Sequence, residues 1–283
     1  MAGLIEADGS IAVHNKNTKS KMYRPKILVV FSLPDKPLAD RLAFITQTGT
    51  VYNKDKAGCV IWHIQKTEDV VKIINIINGY MRTPKIEALH RAITWYNEHD
   101  ETLIKCLPLD LSPIDSNAWL AGFSDGDANF SINLTNRKKK WVKTSKRVQV
   151  FFRIQLRQSY QRDASELQGG ISYFNILSKI AAYLKVNVYS RTRYNQDKVF
   201  YSYMVISHNE VSHILVKNYF SCFPMYSSKY LAFKDWSRVV DAIILRNKKP
   251  LTNTDILEIE KVKAQFNNKR KIFDFSHLNC LVL

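Results

Sequence analysis

The sequence predicts an α+β protein built as a pseudo-symmetric tandem of αββαββα units, each laying its strands in an antiparallel sheet. Three observations predict it. First, the chain repeats itself: Met1-Ala-Gly-Leu-Ile-Glu-Ala-Asp-Gly9 returns as Leu120-Ala-Gly-Phe-Ser-Asp-Gly-Asp-Ala128. The two nonamers share Ala, Gly and the final Asp, and both carry an acid two residues before that Asp. Second, a strand-like alternation of period two follows each nonamer. Third, the remaining patterns run in the same order in both halves, on either side of a proline-rich joint.

Taken in order, each nonamer fits a short helix. In the strand that follows, Ser10, Ala12, His14 and Lys16 share a face opposite Ile11 and Val13. In the second copy Asn129, Ser131, Asn133 and Thr135 share a face opposite Phe130, Ile132 and Leu134. Long second strands are predicted over 27–33 and 148–156, then helices over 37–45 and 171–184. A hairpin comes next in each half, 51–53 with 60–65 and 186–193 with 199–206. A further helical pattern covers 67–77 and 209–219, and each half ends in a longer helix led by a lysine, 85–96 and 229–245. Leu107-Pro-Leu-Asp-Leu-Ser-Pro113 is a linker, because its two prolines block helix and central strand alike. The predicted boundaries are 1–105, a linker over 106–116, and 117–283. The tail after Pro250 holds one more helix, with Thr252 and Asp255 spaced as a capping box, and carries no assigned function.

Composition bounds the function classes. A chain of 283 residues with 46% hydrophobic and 12% aromatic content is neither disordered nor of low complexity. No apolar run reaches the roughly 18 to 20 residues that span a bilayer, and no secretory signal opens the chain. Forty-two Lys and Arg against 25 Asp and Glu leave +17, which calls for a polyanionic partner: nucleic acid first, an acidic membrane surface a distant second. Cys59, Cys106, Cys222 and Cys280 stand singly, without the spacing of a zinc site, and are expected as reduced thiols in a core. Heavy use of Lys, Asn, Ile and Tyr beside 9 Gly and 8 Pro suggests an AT-rich gene, such as that of a mitochondrion or another organelle. No histidine-based nuclease site is visible.

The nonamers carry the chemistry. On a helix Gly3 and Ala7, and likewise Gly122 and Gly126, lie four apart and form a stripe of small residues that lets two backbones approach. Glycine costs roughly 1 kcal/mol in a helix interior, so the stripe implies a close helix–helix contact, naturally with the other copy. Asp8 and Asp127 then fall at the C-terminal ends, against the negative pole of each helix dipole and close to one another. A divalent cation between them removes both penalties, and paired acids holding Mg²⁺ at DNA are an arrangement for phosphodiester hydrolysis.

The doubled nonamers and the elements after them resemble the motif and repeat order of the single-chain, two-repeat LAGLIDADG homing endonucleases, over residues 1 to about 245. The resemblance implies a saddle-shaped monomer with no obligate protein partner, its motif helices at the central interface and its two sheets straddling duplex DNA. By position it implies that Asp8 and Asp127 are the catalytic, metal-binding acids, with the backbone carbonyls of Ala7 and Gly126 as further ligands. Mg²⁺ is the implied metal, with Mn²⁺ or Ca²⁺ able to occupy the same sites. Glu6 and Asp125 match the family's other acidic position, and two residues back on a helix is a different face, so theirs is a structural role. Lys85 and Lys229 match its active-site lysine, and Ser32 and Gln155 a polar position that contacts active-site water. Two departures stand out. Family chains carry a further turn before the first motif, and Ala128 and Ser124 replace more usual residues.

A nine-residue strand spans roughly 30 Å, or about eight or nine base pairs of major groove, so two unlike halves imply an asymmetric target of about 18–20 pairs. Arg147, Gln149, Arg153, Gln155 and Arg157 alternate along one strand against an apolar face. Tyr189, Arg191 and Arg193 repeat the pattern on the hairpin, with Tyr201 and Tyr203 as extensions. Arg and Gln suit bidentate contacts with guanine and adenine. The run Arg137, Lys138, Lys139, Lys140, with Lys143 and Lys146, lies in the loop between strands and suits phosphates. In the first half His14, Lys16, Lys19, Lys21, Arg24 and Lys26 are DNA-facing, while Trp62 and His63 fit either face. The activity expected is metal-dependent double-strand cleavage with short 3′ overhangs, promoting intron mobility. The alternatives are an intron maturase that binds its own intron RNA and a non-catalytic DNA-binding regulator.

Overall fold

The computed structural model describes residues 1–13, 24–136, 146–160, 172–195, 198–247 and 249–281. The first half runs α1 (Ala2–Asp8), β1 (Gly9–Ala12), β2 (Lys26–Ser32), α2 (Lys36–Thr46), β3 (Thr50–Lys54), β4 (Cys59–Ile64), α3 (Thr67–Ile77) and α4 (Ile86–His99). The second repeats it with α5 (Trp119–Asp127), β5 (Ala128–Asn136), β6 (Lys146–Arg157), α6 (Phe174–Leu184), β7 (Val188–Asn195), β8 (Lys198–Ile206), α7 (Glu210–Cys222) and α8 (Lys229–Leu245), followed by α9 (Asn253–Ala264). Each unit is thus αββαββα with one helix more, α3 or α7, the pattern over 67–77 and 209–219. The strand residues predicted at 14–16 lie outside the described residues, and α6 starts at Phe174 rather than 171.

Each half forms one four-stranded antiparallel sheet, ordered β1-β2-β4-β3 and β5-β6-β8-β7. The registers correspond. Gly9 pairs with Val29 and Ala128 with Ile154, so position 29 in the first half is position 154 in the second. Ile27, Val29 and Phe31 on β2 and Val60, Trp62 and Ile64 on β4 are buried, as are Phe130, Val150, Phe152, Ile154 and Val205 in the second sheet. Helices cover these faces. Phe130 meets the rings of Phe152, Phe220, Phe233 and Trp236 at 5.2–5.9 Å. Full burial stabilises each such side chain by about 1.5–3 kcal/mol. The symmetry reaches the caps: α2 and α6 both end on a non-glycine residue in the left-handed region, Gln47 (φ 50°) and Lys185 (φ 54°), whose N–H groups turn back to carbonyls of the last turn.

The linker is anchored. Buried Arg82 pairs with Asp110 (Nη2 to Oδ2 2.7 Å), donates to the Ser112 hydroxyl at 2.7 Å and the Ser112 carbonyl at 3.0 Å, and lies over the Trp119 ring at 5.5 Å. Burial opposes ionisation of Asp110, yet hydrogen bonds from Ser112 and Asn117 and the Arg82 charge outweigh it and hold its carboxyl at about 2. The tail also packs. Thr252 and Asp255 form the capping box of α9, Phe266 and Leu278 are buried, Asn267 donates to the Phe130 carbonyl at 2.9 Å, and Arg41 of α2 donates to the Leu281 carbonyl at 3.1 Å. The tail therefore reaches the first half at Leu281. The four cysteines are free as expected, but none is in the core: Cys106, Cys222 and Cys280 are exposed and Cys59 half-buried, because they fall in the linker, at a helix end, in the tail and at a strand end. Among the described residues no helix is long and apolar enough to cross a membrane.

Candidate functional site

The site begins with the stripe of small residues. A Cβ on Gly3 would lie 2.1 Å from the Trp119 carbonyl oxygen and 2.7 Å from the Phe123 nitrogen. One on Gly126 would lie 2.4 Å from the Ala7 Cβ and 2.9 Å from the Asp8 carboxylate. Helices α1 and α5 therefore touch backbone to backbone, as the spacing predicts, and their C-terminal ends lie side by side. Asp8 reaches across the boundary to lie over Gly126. Burial pushes the Asp8 carboxyl up to about 6, the like charge of Asp127 adds to this, and Lys229 and Lys85 oppose it. Burial likewise raises Asp127, against the pull of the same two lysines.

Lys85 stands at the N-cap of α4 and Lys229 opens α8, and both side chains turn to the motif helix of their own half. The Lys85 ammonium donates to the carbonyls of Ile5 (3.2 Å), Ala7 (3.2 Å) and Gly9 (2.7 Å). Lys229 donates to the carbonyls of Ser124 (3.4 Å) and Gly126. Ser124 and Gly126 are the repeat equivalents of Ile5 and Ala7, so the contact is made twice. A lysine that opens a helix opposes its own dipole; here it neutralises the negative end of the motif helix instead. Burial lowers both lysines' pKa, while Asp127 foremost at Lys85 and Asp8 foremost at Lys229 raise it.

Glu6 and Asp125 explain how the lysines come to be there. Buried Glu6 accepts the backbone N–H groups of Arg82 (2.9 Å) and Thr83 (2.5 Å), and the Trp119 indole N–H from the other half (2.5 Å). Asp125 accepts those of Tyr226 (3.0 Å) and Ser227 (2.9 Å). Each acid thus pins the loop two to three residues before its lysine. Burial raises both acids' pKa, Asp125 to about 6 against these hydrogen bonds and Lys229.

Ser32 and Gln155 are not equivalent positions. The ladders match Ser32 with Arg157 and Gln155 with Val30. Ser32 donates at 2.6 Å to Asp35, whose other oxygen accepts the Ser228 N–H at 2.6 Å beside Lys229. Gln155 donates to Ser202 at 2.9 Å on the sheet surface. Asp8, Ser32, Asp35, Gly126, Asn129 and Lys229 line one cavity of about 650 Å³, whose far wall is the tail at Asn267, Asn268 and Arg270. Asp35 and the tail were not found from sequence. Ser32-x-x-Asp35 reads as a local turn, and its partner is 193 residues away.

The sheet faces away from the helices sort the remaining residues. In the second half Asn129, Ser131, Asn133, Arg147, Gln149, Arg153, Gln155 and Arg157 share the open face, joined through the ladder by Tyr189, Arg191 and Arg193. Tyr201 and Tyr203 do not. Tyr203 pairs with core-facing Leu156 and meets Phe174 of α6 at 5.3 Å, and Tyr201, two residues away, shares its face. Their neighbours Ser202 and Met204, with Phe151, stand on the open face instead. In the first half Lys26 is on the open face, His63 with it, and Trp62 is buried, donating to the Thr48 carbonyl at 2.9 Å. Arg24 pairs with Asp100 at 2.6 Å. His14, Lys16, Lys19 and Lys21, and Arg137, Lys138, Lys139, Lys140 and Lys143, lie outside the described residues, while Lys146 opens β6 rather than lying in a loop and pairs with Glu260 at 2.6 Å.

The donors available to a metal are two carboxylates and the carbonyls of Ala7 and Gly126. Among the described residues no three His, Cys, Asp or Glu converge. The set fits a hard cation that takes one or two carboxylates and leaves positions for water and phosphate. The same two carbonyls already accept from Lys85 and Lys229, so both point toward bound polar hydrogens in this fold.

The sequence pattern described as LAGLIDADG endonuclease matches residues 1–96 and 120–240. The chain is 40% identical to an intron-encoded DNA endonuclease, aI3, of Saccharomyces cerevisiae, over 98% of this chain and 71% of that protein. It is 25% identical to a cox1 intron-2 protein of Schizosaccharomyces pombe, over 92% and 70% of the two. Among solved structures it is similar to the meganuclease I-SmaMI bound to DNA (TM-score 0.66, 20% identity, 95% and 98% covered). It is similar also to the homing endonuclease I-GzeII in complex with its DNA target (TM-score 0.64, 18% identity, 95% and 98% covered).

Proposed function

This chain belongs to the LAGLIDADG endonuclease family, and from that premise we propose that it is a monomeric, Mg²⁺-dependent, sequence-specific endonuclease that cuts both strands of a long asymmetric DNA site. The observation that carries the reading is the pair of carboxylates, Asp8 and Asp127, at the touching ends of α1 and α5, with a lysine ammonium at the adjacent carbonyl in each half. Asp8 with the Gly126 carbonyl would hold one divalent cation, and Asp127 with the Ala7 carbonyl the other. Such a cation polarises the scissile phosphate and lowers the pKa of the attacking water.

The chain's own groups supply the rest. Lys229 and Lys85 place their Nζ atoms where charge would develop on the phosphate, each next to the acid of the opposite half. Glu6 and Asp125 hold the loops that deliver those lysines. The Arg, Gln and Asn side chains on the second sheet's open face suit purine edges in the major groove, and each half serves one strand. The family resemblance supports short 3′ overhangs, and the relatives' intron-encoded names support an intron gene in an organelle.

The test is incubation with a randomised duplex library and Mg²⁺, sequencing of the cut ends, and repetition with Asp8→Asn and Asp127→Asn. Double-strand cutting at one long asymmetric site that either substitution abolishes, leaving at most a nick in one strand, is the expected result. A folded protein that cuts nothing in Mg²⁺ or Mn²⁺ but retains an intron RNA on a filter would overturn it in favour of a maturase.

A further inference from the structure

The two open sheet faces have unlike chemistry at three equivalent positions on β2 and β6 and share an apolar residue at a fourth, on β4 and β8. Through the ladders Leu28 corresponds to Arg153, Val30 to Gln155, Ser32 to Arg157 and Ile61 to Met204. Where the second sheet presents Arg, Gln and Arg, the first presents Leu, Val and Ser. Val30 and Ile61 face each other across β2 and β4, and Tyr52 stands opposite Ile61 on β3. Val30 is 43% exposed and Tyr52 45%, so this apolar patch belongs to no core. The core lies on the opposite side, where Val29, Phe31, Val60 and Trp62 are buried.

From this we infer that Leu28, Val30 and Ile61 select thymine at two or three adjacent pairs of the half-site read by the first sheet. The inference rests on the proposed function, in which both open faces lie in the major groove. In that groove the thymine C5-methyl is the apolar group a base edge offers, while guanine, cytosine and adenine edges present donors and acceptors that Leu, Val and Ile cannot satisfy. A contiguous exposed apolar patch marks a contact surface. Its place directly beside Lys26 and Lys54 on the same face makes DNA the occupant, since a basic rim suits phosphates. The second sheet, by contrast, reads guanine and adenine through Arg153, Gln155 and Arg157.

The experiment starts from the cut site. Arg153→Ala relaxes the sequence requirement in one half, which assigns the other half to the first sheet. Each thymine is then replaced singly by deoxyuridine, which removes only the methyl, and affinity is measured in Ca²⁺. Expected is a loss of about fourfold per methyl at two or three adjacent positions in the first-sheet half (about 0.8 kcal/mol at 1.4 kcal/mol per tenfold). Val30→Gln should shift the preferred base there from thymine toward adenine. Deoxyuridine without effect throughout that half, or a selected site demanding guanine at those pairs, overturns the inference and leaves the endonuclease reading standing. A folded protein that binds and cuts no duplex overturns both.

Discussion

Gly3→Ala is the most direct probe of the helix contact on which the active centre rests. The added Cβ falls 2.1 Å from the Trp119 carbonyl oxygen and 2.7 Å from the Phe123 nitrogen, both main-chain atoms that no side-chain rotation can remove. Ordinary contact begins near 3.5 Å, so α1 and α5 must part by about 1 Å or more. Overpacking of this kind costs roughly 1–3 kcal/mol, and alanine's better helix propensity returns about 1 kcal/mol. With rigid atoms on the other side the upper end applies, and the net loss is about 2 kcal/mol, a fall of about 4–8 °C in melting temperature. A 1 Å displacement of reacting groups costs about 100-fold in rate, so single-turnover cleavage should fall about that far. Gly122→Ala is the control. Its nearest foreign atom is the Leu4 nitrogen at 3.1 Å, so strain and propensity should cancel to within about 0.5 kcal/mol. Gly126→Ala, at 2.4 Å from the Ala7 Cβ, belongs with Gly3. A Gly3→Ala protein that melts at or above the parent temperature and cuts at the parent rate would refute the close contact.

The remaining expectations concern charge. Asp8 is raised to about 6 in the fold from an ordinary value of about 3.9. Its neutral form is thus the one that folding favours, and the stability this gives is full below about pH 4 and gone once pH passes 6. Asp8→Asn should therefore melt increasingly above the parent as pH rises from about 4 to 6 without metal, and by a constant margin above that; a constant difference across about pH 4 to 6 would contradict the raised carboxyl. With metal the sign reverses, since ligation needs the anion: Mg²⁺ affinity, read by calorimetry, should weaken as pH falls through about 6. Because Lys229 lies foremost against Asp8 and Lys85 against Asp127, Lys229→Met and Asp8→Asn should spare the same strand in a nicking assay. Lys85→Met should spare the other, with duplex affinity kept within a few-fold. Arg82→Met removes the ion pair and hydrogen bonds that tie down the linker, while Asp110 keeps those from Ser112 and Asn117, and should cost about 1–3 kcal/mol in urea unfolding.

Much of this was legible because it is periodic. The stripe Gly3-Ala7 and Gly122-Gly126 predicts the helix contact that their missing Cβ atoms demand, and the alternation in 147–157 predicts an open face that the ladder reproduces. Faces failed where a period exists but nothing in it fixes the phase. Tyr201 and Tyr203 alternate as correctly as Tyr189 does, but a strand's phase is set by its partner: pairing with Leu156 turns Tyr203 toward α6. Ser32 and Gln155 do lie on the open faces, but register decides equivalence and sets them two positions apart. Asp35 and the tail at Asn267 to Arg270 were hidden for another reason. Their partners, Ser228, Phe130 and Asp235, are 193, 137 and 35 residues away, and nothing in a single sequence records such contacts.

The pattern of what is duplicated and what is not follows from the proposed chemistry. The groups assigned to the chemistry occur twice: Asp8 and Asp127, Ala7 and Gly126, and the lysine on the equivalent two carbonyls. The acid that pins two backbone N–H groups before each lysine is doubled as well. Two phosphodiesters, one per strand, present the same problem twice, so the geometry that solves it is held constant in both halves. A base sequence presents no such identity, and there the halves differ, with Leu28, Val30 and Ser32 standing where Arg153, Gln155 and Arg157 stand. Reversing that substitution tests the division of labour. Leu28→Arg with Val30→Gln should change which half-site is chosen while leaving the rate on a pre-bound, re-matched duplex within a few-fold. If the rate on such a duplex instead falls as far as it does in Gly3→Ala, reading and cutting are not separable in this fold.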